Sequence, residues 1–324
     1  MDNKIDVSNS AEANALKVSG NTVNFNLGEG DKTFPNRILR SFNPVWYEKR
    51  EAKAREIKAE SISKTISNIM SNYPIMTQQR ATMEAMGYSM TNEQADNLFN
   101  ISNKANKLLE ETNEDIKPIS PEARDLIVDG ASHAYDKNIQ DMWAKLIAGE
   151  ISNPGTFSRK SMNILSEISS EEAKAFQVIC SYLISMYDNL LVLCQNDSNP
   201  NLFNNGDISN ADTMRLESLG LLDSTRTKSF TIQAGQHIPF FVSIHEPIII
   251  FNETNHDKRL MFNPILTPYG SEISSLCKDI HNTGKNLVKF IKSIGERQGL
   301  TILTDPKEIA SLINKDSKDN NGEE

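Results

Sequence analysis

Apolar residues recur every three or four positions up to about residue 194. After residue 210 they give way to short apolar runs separated by turn residues. The first pattern predicts amphipathic helices, the second strands. From Glu48 to Met70 the chain is filled with Ala, Glu, Lys and Arg and holds no Gly or Pro, which predicts one long helix. Ile57, Ile62, Ile66 and Ile69 give that helix a narrow apolar stripe, and Pro74 ends it by removing a backbone donor. Helices are predicted over 76–87, 91–111 and 119–131, with a start at Thr91 and Glu93 and a buried face of Leu98, Ile101, Ala105 and Leu108.

Residues 134–194 predict three more helices. The first carries Ile139, Met142, Trp143, Leu146 and Ile147 on one face and stops before Pro154-Gly155. The second carries Met162, Ile164, Leu165 and Ile168. The third opens with Ser169 and Glu172, a capping box, and buries Ala173, Phe176, Ile179, Cys180 and Leu183. Asn196–Asn210 is mostly Asn, Asp, Ser, Gly and Pro, and reads as a loop and domain boundary. A helix follows over Ala211–Leu219, with Gly220 suited to the left-handed position that terminates it. Phe230–Ile232, Ile238–Ile244 and Glu246–Phe251 read as strands. A helix is expected from Tyr269 to about His281. The stretch from Gly284 to Ile313 then reads as a helix, a short strand over Leu300–Leu303 and a last helix.

The ends are different in kind. Residues 1–33 are rich in Asn, Ser, Gly and Asp. Val18, Val23, Phe25 and Leu27 are spaced like a weak strand or hairpin arm before a turn at Gly28, Gly30 and Asp31. Phe34–Tyr47, FPNRILRSFNPVWY, interleaves aromatic residues with Arg37 and Arg40. That composition suits a partner groove, single-stranded nucleic acid or a membrane interface, or packing of Phe42, Trp46 and Tyr47 onto the helical domain. The tail from Lys315 is charged and reads as disordered.

Composition narrows the class. The 324 residues are 38% hydrophobic and 24% charged, and 43 acidic against 34 basic side chains leave a net charge of -9. Such a chain folds, and its whole surface does not track a phosphate backbone. Cys180, Cys194 and Cys277 fit no zinc spacing and no disulfide framework, so they read as buried reduced thiols. The start lacks an apolar stretch behind basic residues. The longest apolar run, His237–Phe251, is 15 residues and contains Glu246 and Pro247. Neither signal peptide nor membrane span is expected, and the predicted location is cytoplasmic.

Catalytic motifs are missing from the sequence. No phosphate-binding GxxxxGK[ST], HExxH or GxSxG occurs. His237, His245 and His256 with Asp257 are a conceivable metal set, but His133, His237, His245, His256 and His281 are scattered and read more simply as surface or strand-end residues. No metal and no cofactor are predicted. A helix, a GLL step, strands, and LTPYG leading into a helix resemble a winged-helix module. In such a module the helix before the wing enters a groove. Here it holds Arg215 against Asp212 and Glu217, and the wing region offers Arg226, Lys228, Lys258 and Arg259. Those five are the candidate nucleic-acid residues.

Residues 142–176, MWAKLIAGEISNPGTFSRKSMNILSEISSEEAKAF, resemble the central motif of a bacterial family designated by its domain of unknown function, DUF2806. The match runs through Trp143–Glu150, Pro154–Arg159 with Thr156 in place of Ser, and Ile168–Phe176. It continues more loosely into RLESLGLL at 215–222 and LTPYG at 266–270. The arm before residue 34 departs from the pattern. The same order of motifs appears more weakly in the abortive-infection alpha family, which implies a role in bacterial defence against phage. The motif residues themselves read as a scaffold: Trp143, Leu146, Phe157, Leu165 and Phe176 in one core, Ser158 as a helix cap, and Glu150 and Arg159 able to pair across the loop. The functional reading puts Glu150, Ser158 and Arg159, with Arg40 and Trp46 of the aromatic segment, at a partner or ligand site.

The expectation is a mainly α protein: a flexible arm over 1–33, a helical domain over 34–195, a small α+β winged-helix-like domain over 211–313, and a disordered tail over 314–324. The expected function is non-enzymatic interaction or regulation with self-association or a protein partner. The alternative is a nucleic-acid-binding regulator.

Overall fold

The computed structural model describes residues 17–19, 22–24, 38, 41–42, 64–112, 116–186, 189–192, 209–226, 228–242, 246–262, 264–277, 292, 295, 299–309 and 311. The chain is mainly helical and divides into two compact units, Met1–Glu167 and Ile168–Glu324. The tail over 314–324 and the expected helix over 48–63 lie outside the described residues.

In the first unit, β1 (Lys17–Ser19) and β2 (Thr22–Asn24) pair antiparallel with Val18 opposite Val23, the hairpin that the spacing of those valines anticipates. Residues 64–72 are helical, with Ile66 buried and Ile69 half-buried, and the helix ends ahead of Pro74. Five helices follow: α1 (Gln78–Ala85), α2 (Asn92–Thr112), α3 (Pro121–Ser132), α4 (Lys137–Ser152) and α5 (Arg159–Glu167). Each start carries short polar side chains that satisfy the first free N–H groups of the helix. Thr77 accepts from Arg80 N, Ser120 from Ala123 N with Pro121 at the first helical position, and Asp136 from Asn138 N and Ile139 N. At α2 the partner of Thr91 is Gln94, not Glu93. Thr91 Oγ1 accepts the Gln94 N–H (3.2 Å) and the Gln94 side chain accepts the Thr91 N–H (2.8 Å).

The core of this unit lies between α2, α3, α4 and α5. Ala95, Leu98, Ile101, Ala105 and Leu109 line the inner face of α2; Leu109 takes the place expected for Leu108, which is half-buried. Ile139, Met142, Trp143, Leu146 and Ile147 of α4 are all buried, as their spacing predicts. Trp143 is fully buried, and its ring lies against Gly130 of α3 so closely that a Cβ there would overlap it. Trp143 Nε1 has no hydrogen-bond partner, which costs about 1–3 kcal/mol. Burying roughly 200 Å² of indole at about 25 cal/mol per Å² contributes about 5 kcal/mol, so the apolar term wins.

The second unit begins with α6 (Ser170–Cys180), whose capping box forms as expected: Ser169 accepts from Glu172 N, and the Glu172 side chain accepts from Ser169 N (2.9 Å). This helix stops at Cys180. The expected continuation to residue 194 is instead β3 (Leu183–Met186) and β4 (Asn189–Val192), an antiparallel pair. Short apolar runs fit either a helix or a strand, and tertiary pairing decides between them. β3 also pairs with β7 (His237–Val242), Ser185 opposite Phe241. That pairing joins strands from both sides of the polar 196–210 stretch into one sheet, so the compact units divide at Glu167 and not in that stretch.

The sheet has five antiparallel strands in the order β11 (Thr301–Leu303), β8 (Glu246–Phe251), β7, β3, β4. The 15-residue apolar run seen in the sequence is thus a β7–β8 pair. α7 (Asn210–Ser218) is closed by Gly220 at φ 79°, the left-handed exit that its place predicts. β5 (Leu222–Asp223) pairs with β10 (Ile265–Leu266), and β6 (Lys228–Ile232) with β9 (Lys258–Phe262). After β10, α8 (Pro268–Ser274) leads into a 3-10 turn over Ser275–Cys277. Thr267 caps α8 and its N–H donates to Leu221 O (3.1 Å), while a Cβ on Gly270 would overlap that same carbonyl oxygen. The GLL and LTPYG segments, 46 positions apart from Leu221 to Thr267, are therefore two halves of one contact that requires glycine.

Candidate functional site

The densest polar construction in the family-like motif is the loop between α4 and α5. Glu150 stands in the last turn of α4 and is 1% exposed. Its two carboxylate oxygens accept the N–H of Gly155 (2.9 Å) and of Phe157 (2.6 Å). The backbone reverses at Gly155, with φ 87°, a conformation that favours glycine. Phe157 then folds back over α4, where a Cβ on Gly149 would lie 3.0 Å from its ring. Ser158 caps α5 as expected, accepting the Ser161 N–H (3.2 Å). A carboxylate at a helix C-terminus is disfavoured by the dipole by about 0.3–1 kcal/mol, and two charge-assisted N–H bonds outweigh that.

Of the predicted site residues in this loop, Arg159 is exposed and makes no ion pair with Glu150 among the described contacts; the expected pairing across the loop is replaced by backbone donors. Glu150 and Ser158 turn their side chains to the loop itself. Chemically the arrangement is an anchor that holds the loop's shape. Arg40 and Trp46 lie outside the described residues. Between them in sequence, Ser41 and Phe42 are buried: Ser41 Oγ donates to Lys117 O (2.8 Å), and Ile119 N donates to Ser41 O (3.4 Å). Packing of Phe42 into the helical unit is thus observed.

Arg124 on α3 extends that attachment. Its Nη1 donates to Phe42 O (3.4 Å), while Nε and Nη2 donate to Asp125 Oδ1 (3.1 and 3.0 Å). The same Asp125 oxygen accepts the Tyr88 hydroxyl at 2.7 Å, and the guanidinium lies 5.9 Å from the Tyr88 ring centre. Burial first, and the bond to Asp125 second, push the Tyr88 phenol up to about 12. The Tyr88 hydroxyl bond, aided by Arg124, holds Asp125 below the usual carboxylate range.

The helical unit exposes three large apolar side chains. Tyr73 is 58% exposed, Ile75 90% and Tyr135 55%. Backbone carbonyls of the first two are hydrogen-bonded. Met76 N donates to Tyr73 O (2.9 Å). At the start of α2, the Asn92 side chain donates to Ile75 O (3.0 Å) and accepts from Thr77 N (3.1 Å), and Gln94 is hydrogen-bonded to His133, two residues before Tyr135 (2.7 Å). Sequence reasoning missed this surface, although large apolar residues beside a helix-breaking proline and in an interhelical loop are a readable signal.

Of the five candidate nucleic-acid residues, two face carboxylates and three lie on the β6–β9 ladder. Arg215 lies 3.4 Å from Asp212 and 3.8 Å from Glu171, and Arg226 lies 3.3 Å from Asp223. In the β6–β9 ladder, Lys228 and Lys258 share one face at opposite ends, while Arg259 is on the other face, donating to Ser229 Oγ (2.9 Å). Asp212 and Asp223 are both held below the usual range, the first by the Ser209 hydroxyl and the second by the Thr225 hydroxyl.

Of the histidines, His133 bonds Gln94, His256 is exposed, His237 opens β7, and His245 and His281 lie outside the described residues. Among the described residues no group of three or more His, Cys, Asp or Glu is placed to hold a metal ion. No helix among them is long and apolar enough to cross a membrane. The exposed loop at the ends of β6, β8 and β9 is organised by the fully buried Asn252. Its amide donates to Ile232 O (2.9 Å) and His256 O (2.8 Å), and its oxygen accepts from Thr254 N (3.1 Å) and Thr254 Oγ1 (2.6 Å).

No curated protein and no solved structure matches the chain. A family model described as a protein of unknown function, DUF2806, matches residues 79–286, from α1 past α8, and so takes in the Glu150 loop, the Asn252 loop and the Leu221–Thr267 contact. With that match over most of its length, the chain belongs to the DUF2806 family.

Proposed function

We propose that this protein is a non-enzymatic interaction protein that self-associates through exposed apolar side chains of its helical unit. The observation that carries the reading is Ile75, 90% exposed, together with the exposed Tyr73 and Tyr135, the carbonyls of Tyr73 and Ile75 being held by hydrogen bonds. Exposed aromatic and aliphatic side chains on a rigid support are the composition of an interface centre. The anchored Glu150 loop supports the reading from the other side, because its carboxylate is engaged in holding shape. The winged-helix-like reading of 211–313 enters as a second protein-facing module, supported by the Gly220 exit and the Leu221–Thr267 contact. Nucleic-acid binding ranks lower, because Arg215 and Arg226 already face carboxylates. A cytoplasmic defence role against phage is the setting we propose, supported by the order of motifs in Trp143–Phe176.

The test is the native mass of the full chain by light scattering and native mass spectrometry, with absorbance ratio and metal content on the same sample. A discrete oligomer free of nucleic acid and metal, reduced to monomer by Ile75→Asp with Tyr135→Asp, supports the proposal. A wild-type monomer at high concentration, or stoichiometric nucleic acid or metal in the preparation, overturns it.

A further inference from the structure

A short helical piece ahead of the family-matched region docks onto that region. Residues 38, 41 and 42 are helical, and Ile38, Ser41 and Phe42 are 0%, 0% and 3% exposed. They stand at positions i, i+3 and i+4, one face of a helix, which is how a helical peptide anchors in a groove. The last carbonyls of a helix have no donors of their own. Pro44, two positions on, is a residue that stops a helix. The donors come from far along the chain instead. Ile119 N donates to Ser41 O (3.4 Å) and Arg124 Nη1 to Phe42 O (3.4 Å), while Ser41 Oγ donates to Lys117 O (2.8 Å). A guanidinium at this end also suits the helix dipole.

The receiving cleft is organised by contacts of its own. Lys117 N donates to Ile151 O (3.0 Å), which ties the stretch ahead of α3 to the last turn of α4. Arg124 is held to Asp125 through Nε and Nη2, and Asp125 accepts the Tyr88 hydroxyl. Those bonds leave Nη1 for an incoming carbonyl. Every one of these cleft residues lies within 79–286, and the segment lies outside it. A site held in shape by its own contacts takes its occupant at a small ordering cost.

We propose that this cleft is a docking site for the Ile38–Phe42 segment of a second copy of the chain, so that associating copies exchange identical segments. The occupant follows from what is seated there, which is the chain's own sequence. None of the three bonds requires the segment to belong to the same copy, so exchange loses no contact. The inference rests on the self-association proposed above, because copies must meet before segments change places.

The Ile119 N–H reports occupancy, since its acceptor is Ser41 O. The experiment follows hydrogen exchange at that amide by NMR in isotope-labelled full-length Phe42→Asp. The labelled chain is measured alone and after equilibration with excess unlabelled wild-type chain, with light scattering on the same samples. Alone, the variant should exchange the Ile119 N–H about tenfold faster than wild type, while amides in the α2 and α4 core keep their protection. Unlabelled wild-type chain should restore slow exchange, and unlabelled Phe42→Asp should not. Ile38→Ala, a milder change on the same face, gives the same pattern should Phe42→Asp fail to fold. Fast exchange that persists while mixed oligomers form overturns the exchange of segments and leaves self-association standing. Slow exchange in both variants alone overturns it too, because the segment is then not what protects the amide. A monomeric wild type overturns both proposals.

Discussion

Glu150→Gln changes almost no volume and removes one acceptor. In the native loop each carboxylate oxygen takes one backbone N–H, from Gly155 at 2.9 Å and from Phe157 at 2.6 Å, on a side chain 1% exposed. The amide keeps one acceptor and turns an NH2 donor toward the other N–H. One buried donor is left unpaired, at about 1–3 kcal/mol. The surviving bond loses its charge assistance, a further ~1 kcal/mol. Relief of the helix dipole returns about 0.3–1 kcal/mol. The net expectation is destabilisation of the first unit by about 2–3 kcal/mol. The chain has two tryptophans, Trp46 and Trp143. A Trp46→Phe background therefore makes fluorescence report on Trp143 in the core of that unit. Urea titration should give a lower midpoint at unchanged m-value. A midpoint shift worth less than about 0.5 kcal/mol, the scale of an ordinary surface substitution, would refute the account of Glu150 as the loop's anchor.

Three further outcomes follow from the same geometry. Gly130→Ala gains about 1 kcal/mol of helix propensity but forces the Trp143 ring to move, at about 1–3 kcal/mol, so thermal unfolding should show a net loss and not the usual gain of a helical Gly→Ala change. Asn252→Asp turns a carboxylate oxygen on Ile232 O and His256 O, and should destabilise the second unit at least as much as Asn252→Ala, on the order of 3 kcal/mol by urea titration. Tyr88 has its phenol raised from 10.0 to about 12, so the neutral form is favoured by folding. Its contribution is complete below pH 10 and is lost as pH rises through about 12. The phenolate absorbance titration should accordingly lose its last step near pH 12 in Tyr88→Phe.

Particular residues show where legibility ends. Ser169 and Glu172, Ser158, and Gly220 after α7 all take the roles that their places predict, because a helix cap is decided within three or four residues of the chain. The Ile139–Ile147 face of α4 is legible for the same reason: period and burial agree. Leu183–Val192 is not. Its apolar run suits a helix locally, but it folds back on itself as the β3–β4 pair and joins the sheet through Phe241 and Val242, more than fifty positions on.

Chain order alone therefore determined the helical class, most helix boundaries and caps, the strands that contain Phe230–Ile232, Ile238–Val242 and Glu246–Phe251, and membership of the family through the Trp143–Phe176 motif. Tertiary structure decided that Leu183–Met186 pairs with β7, that Thr267 meets Leu221, that Arg215 reaches Glu171 as well as its helix neighbour Asp212, and that Ile75 stays exposed. Caps and apolar periods are set by neighbours along the chain. Strand partners, long-range backbone contacts and exposed faces depend on segments far apart in sequence, which come together only when the elements pack.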